Sequence, residues 1–258
     1  MKLKNKFTIL GCGSSLGSPW ITNYWGKSNS KNKKNLRTRC CAHFQYKDIS
    51  VLIDTSPDIK QQIIRNKIKN IDAVIYTHEH ADQTSGIFEL RPYFWMNKKK
   101  LDIYASSKTM KELKEKYDFV FKQKHGYIPI GKANVIKNKF FISKSKTKIQ
   151  IEAIEVPHGM IKSTGLILNK IAYLSDCSSI PRKLEKSLTH LDYLIIDCLR
   201  NKPHPSHLNL EGALDTAKRL GPKKTILTNL HVDLDYSLLK KKLPSNIIPA
   251  FDGMSFTF

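Results

Sequence analysis

Thr77-His78-Glu79-His80-Ala81-Asp82-Gln83 directly follows the apolar run Asp72-Ala73-Val74-Ile75-Tyr76, and the reading of this junction decides the fold. The run is short, β-branched and closed by an aromatic residue, so it reads as a buried strand with the polar cluster at its carboxyl end. Imidazoles at 78 and 80 and a carboxylate at 82 can converge where the backbone turns out of a strand. Each offers a lone pair to one point, and a divalent metal is the natural occupant. Taken alone, an HxH pair is equally a polar loop whose histidines bond to backbone or water.

Three later stretches tip that balance. Ile149 to Val156 alternates apolar and polar residues over a strand length and ends in Pro157-His158-Gly159. Leu166–Leu168 and Ile171–Leu174 form a hairpin pattern around Asn169-Lys170, and the second arm runs into Ser175-Asp176-Cys177. Lys224 to Thr228 leads to Asn229-Leu230-His231-Val232-Asp233. His78, His80, Asp82, His158, Asp176 and His231 therefore all lie just past predicted strands, and loops at one sheet edge are where side chains from distant segments meet.

Further out, Phe7 to Leu10 reads as a strand entering Gly11-Cys12-Gly13-Ser14-Ser15-Leu16-Gly17. This is GxGxxxG, followed by Ser18-Pro19 where a phosphate-binding helix should begin, so a tight loop is expected and not a dinucleotide site. Trp20 to Asn35 reads as a long surface loop of the kind that often forms lids. Ala42–Tyr46 and Ser50–Ile53 read as strands, and Asp54-Thr55-Ser56-Pro57 as the start of a helix with proline at its first position. Ile59, Ile63 and Ile64 are that helix's expected buried stripe. Leu101–Tyr104 is an expected strand and Ser107–Tyr117 an expected helix, whereas 122–145 carries no decisive pattern. Leu191 to Ile196 is a buried strand leading to Asp197. Leu210, Ala213, Leu214, Ala217 and Leu220 mark an amphipathic helix stopped by Gly221-Pro222.

The 258 residues, 40% hydrophobic, show no compositional break, which suits one domain over 1–258. No apolar run is long enough to span a bilayer, so no membrane is expected. The basic start Met1-Lys2-Leu3-Lys4-Asn5-Lys6 is followed only by Phe7 to Leu10, too short for a signal-peptide core. Cys12, Cys40, Cys41, Cys177 and Cys198 form an odd, scattered set without a CxxC pair, which argues against a disulfide framework and for a reducing cytoplasm. The formal charge of +22 invites a nucleic-acid reading. The lysines run from end to end beside Asn and Ile, however, so compositional bias is preferred to a dedicated polynucleotide surface. A basic field still attracts anionic substrates.

The motifs Thr77-His78-Glu79-His80-Ala81-Asp82, Pro157-His158-Gly159, Ser175-Asp176 and Leu230-His231 resemble, in order and spacing, those of the metallo-β-lactamase fold superfamily over nearly the whole chain. The resemblance implies an α/β fold, an αββα sandwich of two mixed β-sheets flanked by helices, with metals at one edge. Leu10-Gly11-Cys12-Gly13-Ser14-Ser15, Pro203-His204-Pro205-Ser206-His207-Leu208-Asn209 and Thr228-Asn229-Leu230-His231-Val232-Asp233 are similar to the PhnP-like branch of cyclic-phosphate phosphodiesterases, relatives of ribonuclease Z. That branch implies a metal-dependent hydrolase acting on a small anionic phosphodiester, a cyclic ribose phosphate or nucleotide-like diester, through a metal-bound hydroxide. His78, His80 and His158 would hold the first metal and Asp82 and His231 the second, with Asp176 bridging. The ions would be zinc or manganese. Asp82 would also orient the nucleophile, and His207, with His204 as competitor, would protonate the leaving group.

Superfamily members often carry histidine where this chain has Gln83, and an amide oxygen is a weaker donor to zinc, so a looser second metal is expected. Asp54 is expected to orient a metal-binding histidine or to cap the following helix. Arg37 and Arg39 are candidates for a phosphate or for solvated flanks, and His43, His125 and His190 for structural or surface roles. Three alternatives stay open: an RNA-processing nuclease of ribonuclease Z type with RNA as partner, a metal-binding non-catalytic protein, and a homodimeric assembly.

Overall fold

The computed structural model describes residues 5–123 and 126–258, so the expectation for His125 lies outside the described residues. Short β-branched runs form the strands β1 (Lys6–Gly11), β2 (Cys41–Tyr46), β3 (Ile49–Ile53), β4 (Ala73–Ile75), β5 (Leu101–Ala105) and β6 (Gly131–Val135). The second half supplies β7 (Lys139–Lys144), β8 (Thr147–His158), β9 (Ile161–Leu168), β10 (Ile171–Leu174), β11 (Tyr193–Asp197), β12 (Lys224–Thr228), β13 (Ile247–Pro249) and β14 (Met254–Thr257). They assemble into two seven-stranded sheets, ordered β14-β1-β2-β3-β4-β5-β6 and β13-β12-β11-β10-β9-β8-β7. Each is mixed, as expected. β3 to β6 and β10 to β13 run parallel within their sheets, and the remaining neighbours pair antiparallel.

The inner faces meet in a core containing Phe7, Phe44, Val51, Ile53 and Ile75 from one sheet and Ile151, Leu166, Tyr173, Ile195 and Ile226 from the other. Outside the first sheet, Leu10, Leu52, Val74 and Ile103 pack under Ile59 of α1 (Ile59–Arg65), Tyr93 of α3 (Arg91–Asn97) and Met110 and Leu113 of α4 (Ser107–Lys116). Outside the second, Leu174, Leu194, Ile196 and Leu227 pack under Ala213 and Ala217 of α6 (Leu210–Leu220) and Leu239 of α7 (Tyr236–Lys242). This is the αββα sandwich. Between α1 and α3 lies the single turn α2 (Ala81–Thr84), and α5 (Asp118–Phe121) follows α4. No described helix is long and apolar enough to cross a membrane.

Several local expectations are revised by packing. The first helix starts at Ile59 behind Asp58, not at Pro57, and its buried face carries Gln62 whereas Ile64 is 68% exposed. Gln62 can be buried because its amide donates to Thr38 Oγ1 and Arg39 O and accepts from Ser56 Oγ. The 20–35 loop is anchored, not a free lid: Ser28 Oγ donates to Val232 O, and Asn29 N and Asn35 Nδ2 donate to Asp235 Oδ2. Residues 122–145 contain β6 and β7, one at the edge of each sheet, where solvent exposure dilutes the strand pattern.

Candidate metal centre

Chain direction brings the chemistry to one place. β1, β3 and β4 run the same way in the first sheet, and β8, β10, β11 and β12 in the second. Their carboxyl ends share one edge of the sandwich, stitched across by Thr164 N donating to Thr77 O and Leu230 N to Cys12 O. His78 and His80 follow β4, His158 ends β8, Asp176 follows β10, Asp197 ends β11 and His231 follows β12. Pro157 is tolerated in β8 because β7 stops pairing at Glu152, so no ladder bond is owed on that side.

Three imidazoles converge. His80 Nδ1 lies 3.1 Å from His78 Nε2 and 3.2 Å from His158 Nε2, with rings edge-on at centroid distances of 4.6 to 5.0 Å. Partners on the far side set two of the tautomers. Thr77 Oγ1 donates to Asp54 Oδ2 at 2.9 Å, so at 3.0 Å it accepts from His78 Nδ1–H. His158 Nδ1–H donates to Ser206 O at 2.7 Å. Both Nε2 lone pairs are thus left facing His80. Burial lowers the pKa of all three rings, His78 to about 4, so they are neutral donors at physiological pH.

A second group of donors within 4.8 Å of one another joins His158, Asp176 and His207. Asp176 Oδ1 accepts from Asn229 Nδ2 at 3.1 Å, while Oδ2 is buried with no protein partner. Burial and the nearby Asp176 charge raise the pKa of Asp82, so the pocket is short of positive charge. Orphaned carboxylate oxygen, convergent lone pairs and repelling acids all fit divalent cations. Neither donor group includes Asp82 or His231. His231 Nδ1 accepts from Asp233 N at 3.3 Å, and its ring stands 5.7 Å from Trp20. Gln83 is fully buried, its Nε2 3.3 Å from Asp82 Oδ2 and its Oε1 without a partner.

His207 Nδ1 donates to Asp197 Oδ2 at 2.7 Å, and its ring is 4.7 Å from that of His158. Burial works against a charged ring, but the hydrogen bond and charge of Asp197 outweigh it and lift His207 to about 9. Asp197 and Asn229 had no assigned role in the sequence. A carboxylate closing a buried strand, ten residues before a histidine, was the available signal. Asp54 sits one link further back than expected, reaching His78 through Thr77. Neither arginine is free for phosphate. Arg37 is buried and donates to His231 O, Leu234 O and Asn35 Oδ1, and Arg39 pairs with Asp58 at 2.8 Å. His204 accepts from Ser206 N, His43 is buried against Ser50 Oγ, and His190 is exposed. All five cysteines are free and buried.

Comparison with known proteins identifies the family and the fold. Residues 50–229 match the model of the beta-lactamase superfamily domain. Over 251 residues, 95% of this chain, it is 29% identical to a Porphyromonas gingivalis protein named octanoyltransferase, and it spans about half (50%) of that curated relative's length. A solved structure described as a new diphosphatase from the PhnP family superposes with a TM-score of 0.89 at 32% identity, covering 100% of this chain and 98% of the other. Zinc-bound PqqB from Methylobacterium extorquens (TM-score 0.77, 15% identity, 97% and 99% covered) and the short form of human tRNase Z (0.68, 17%, 97% and 98%) share the fold. The chain has the metallo-β-lactamase fold and belongs to the beta-lactamase superfamily, in its PhnP branch.

Proposed function

We propose that the chain works as one hydrolase domain, a metal-dependent phosphodiesterase for a small cyclic ribose phosphate or nucleotide-like diester. In this reading His78, His80 and His158 hold one divalent ion, Asp176 reaches a second, and Asp82 and His231 complete the second site. Two bound cations, zinc or manganese, supply a water of lowered pKa and charge stabilisation for phosphate oxygens. The residues do the rest. Thr77 and Ser206 keep the His78 and His158 rings in the donating tautomer, and Asp82 accepts a hydrogen bond from the attacking water. His207 then gives its Nε2 proton to the departing ester oxygen.

The observation that carries this reading is the pairing of half-buried His207 with buried Asp197 beside Asp176 and His158. A protonated donor is what a sugar alkoxide needs in order to leave, and a thiolate leaves without one. The diphosphatase relative at 32% identity supports a phosphate-containing substrate and favours a second reading, a phosphoanhydride. Octanoyl transfer is not carried over, because the match spans half of that protein. The test is turnover, with and without added Mn²⁺ or Zn²⁺, of cyclic ribose phosphates, linear nucleotide diesters, a nucleoside pyrophosphate, tRNA precursors, a lactone and a thioester. Metal-dependent diester cleavage well above the others is expected. A preference for lactone or thioester refutes the reading, and no turnover of any substrate by fully metal-loaded protein favours a non-catalytic binder.

A further inference from the structure

The outer face of the first sheet carries a second feature, built from residues that take no part in the metal centre. Leu101 N donates to Ile130 O at the amino ends of β5 and β6, the edge opposite the one where His78 and His158 meet. Phe88, Phe94, Trp95, Phe119, Tyr127 and Ile128 line, with Ile130, an open groove of about 810 Å³. Phe88 (51%), Trp95 (53%), Tyr127 (63%) and Ile128 (62%) are exposed, far more apolar surface in one place than scattered exposure explains. The Arg91 guanidinium lies 4.9, 4.7 and 5.7 Å from the ring centroids of Phe88, Trp95 and Tyr127, holding three aromatic faces around one cation.

Directly alongside, Lys100, Lys114, Lys122 and Lys132 surround a second hollow of about 430 Å³. The same short segments line both, Lys98, Phe119 and Ile130 the groove and Lys100, Phe121 and Gly131 the hollow. Among the described residues Lys98, Lys100, Lys114 and Lys122 have no acidic partner within 4.0 Å, and Lys132 only a long contact to Asp102 at 3.9 Å. Lysines that look evenly spread along the sequence are gathered here by the fold around exposed rings.

We propose that this face binds single-stranded nucleic acid, with bases stacking on Trp95, Tyr127 and Phe88 and phosphates running past Lys98, Lys100, Lys114 and Lys122. Unpaired bases offer two-sided apolar planes, and their backbone supplies the charge that these lysines lack. A second copy of the chain is a poor occupant, because it would press two unpaired basic clusters together in a molecule of net charge +22. A duplex is equally poor, because its base faces are hidden. The inference is independent of the metal centre and its substrate.

The probe is fluorescein-labelled oligothymidylate of about 15 nucleotides, titrated at several salt concentrations against the full chain, Trp95→Ala, Tyr127→Ala and Lys122→Ala. Half-exposed Trp95 and exposed Tyr127 and Lys122 can be truncated without touching the core. Each aromatic variant is expected to weaken binding by roughly tenfold. Lys122→Ala should instead lower the slope of log affinity against log salt by about 0.7. Quenching of tryptophan fluorescence by the oligonucleotide should vanish in Trp95→Ala. Equal affinity for single strand and duplex, or aromatic variants that bind as wild type does, would reduce the face to diffuse electrostatics and overturn the proposal. Binding to phosphatidylserine vesicles in preference to the oligonucleotide, or a concentration-dependent dimer dissolved by Trp95→Ala, would overturn it in favour of a lipid surface or a second copy.

Discussion

Replacing His207 tests the proposed chemistry most directly. Its Nδ1 is committed to Asp197, which leaves Nε2 as the working nitrogen. With Asp197 lifting its pKa to about 9, the ring is mostly protonated near neutral pH, where an unperturbed histidine is mostly neutral. Loss of a positioned general acid costs ~10²–10⁴-fold, or ~3–5 kcal/mol of barrier. It does so only where the leaving group needs the proton. His207→Ala should therefore lose that factor on a cyclic ribose phosphate, whose leaving group is a sugar alkoxide. It should lose less than about tenfold on a nitrophenyl phosphodiester or a pyrophosphate, whose leaving groups are stable anions. Alanine also strands the buried Asp197 carboxylate, so His207→Gln, which can still donate to it, serves as the stability control. Metal analysis after dialysis decides the competing role, because an imidazole backed by a carboxylate is also a good ligand and His207 lies within 4.8 Å of donors on His158 and Asp176. Unchanged metal content with a leaving-group-dependent loss is expected. A uniform loss across the series, or loss of a metal equivalent, would remove His207 from the acid role.

Other outcomes follow from the same geometry. Gln83 presents an unpartnered Oε1 beside Asp82, so Gln83→His should make the more readily exchanged metal survive dialysis; equal retention by both proteins would end the weak-site idea. Thr77→Val removes the hydroxyl that links Asp54 to His78 and should weaken metal binding about 10- to 100-fold in a chelator competition, whereas unaltered affinity would show that the ring needs no such support. His43 is buried, donates to Ser50 Oγ and has its pKa lowered to about 4, chiefly by burial. Its neutral form stabilises the fold above the unfolded value near 6.5, and that contribution is lost as pH falls toward 4, up to ~3 kcal/mol. In urea titrations at pH 7 and 4.5, His43→Gln should therefore close most of its stability deficit at the lower pH, and parallel acid limbs would contradict the assignment.

Strand ends were legible in the residues alone. A buried strand announces itself by an unbroken apolar run such as Ala73–Ile75 or Leu194–Ile196, and its end by the first group that cannot be buried without a partner. His78, His158, Asp176, Asp197 and His231 were all located in that way, whereas the αββα architecture was implied by the resemblance of the motifs to the metallo-β-lactamase superfamily. Local pattern carries this much because hydrophobic alternation and chain termination are properties of neighbouring residues. The tertiary structure alone decided which strand ends face one another. It paired Asp197 with His207 across the Pro203–Pro205 loop, interposed Thr77 between Asp54 and His78, and left His231 against Trp20 outside the two tight donor groups. It also buried Arg37 and Gln62, whose polar atoms find carbonyl partners only once distant segments are folded together. A polar side chain's burial depends on donors and acceptors brought from elsewhere in the chain, and no reading of its own neighbourhood contains them.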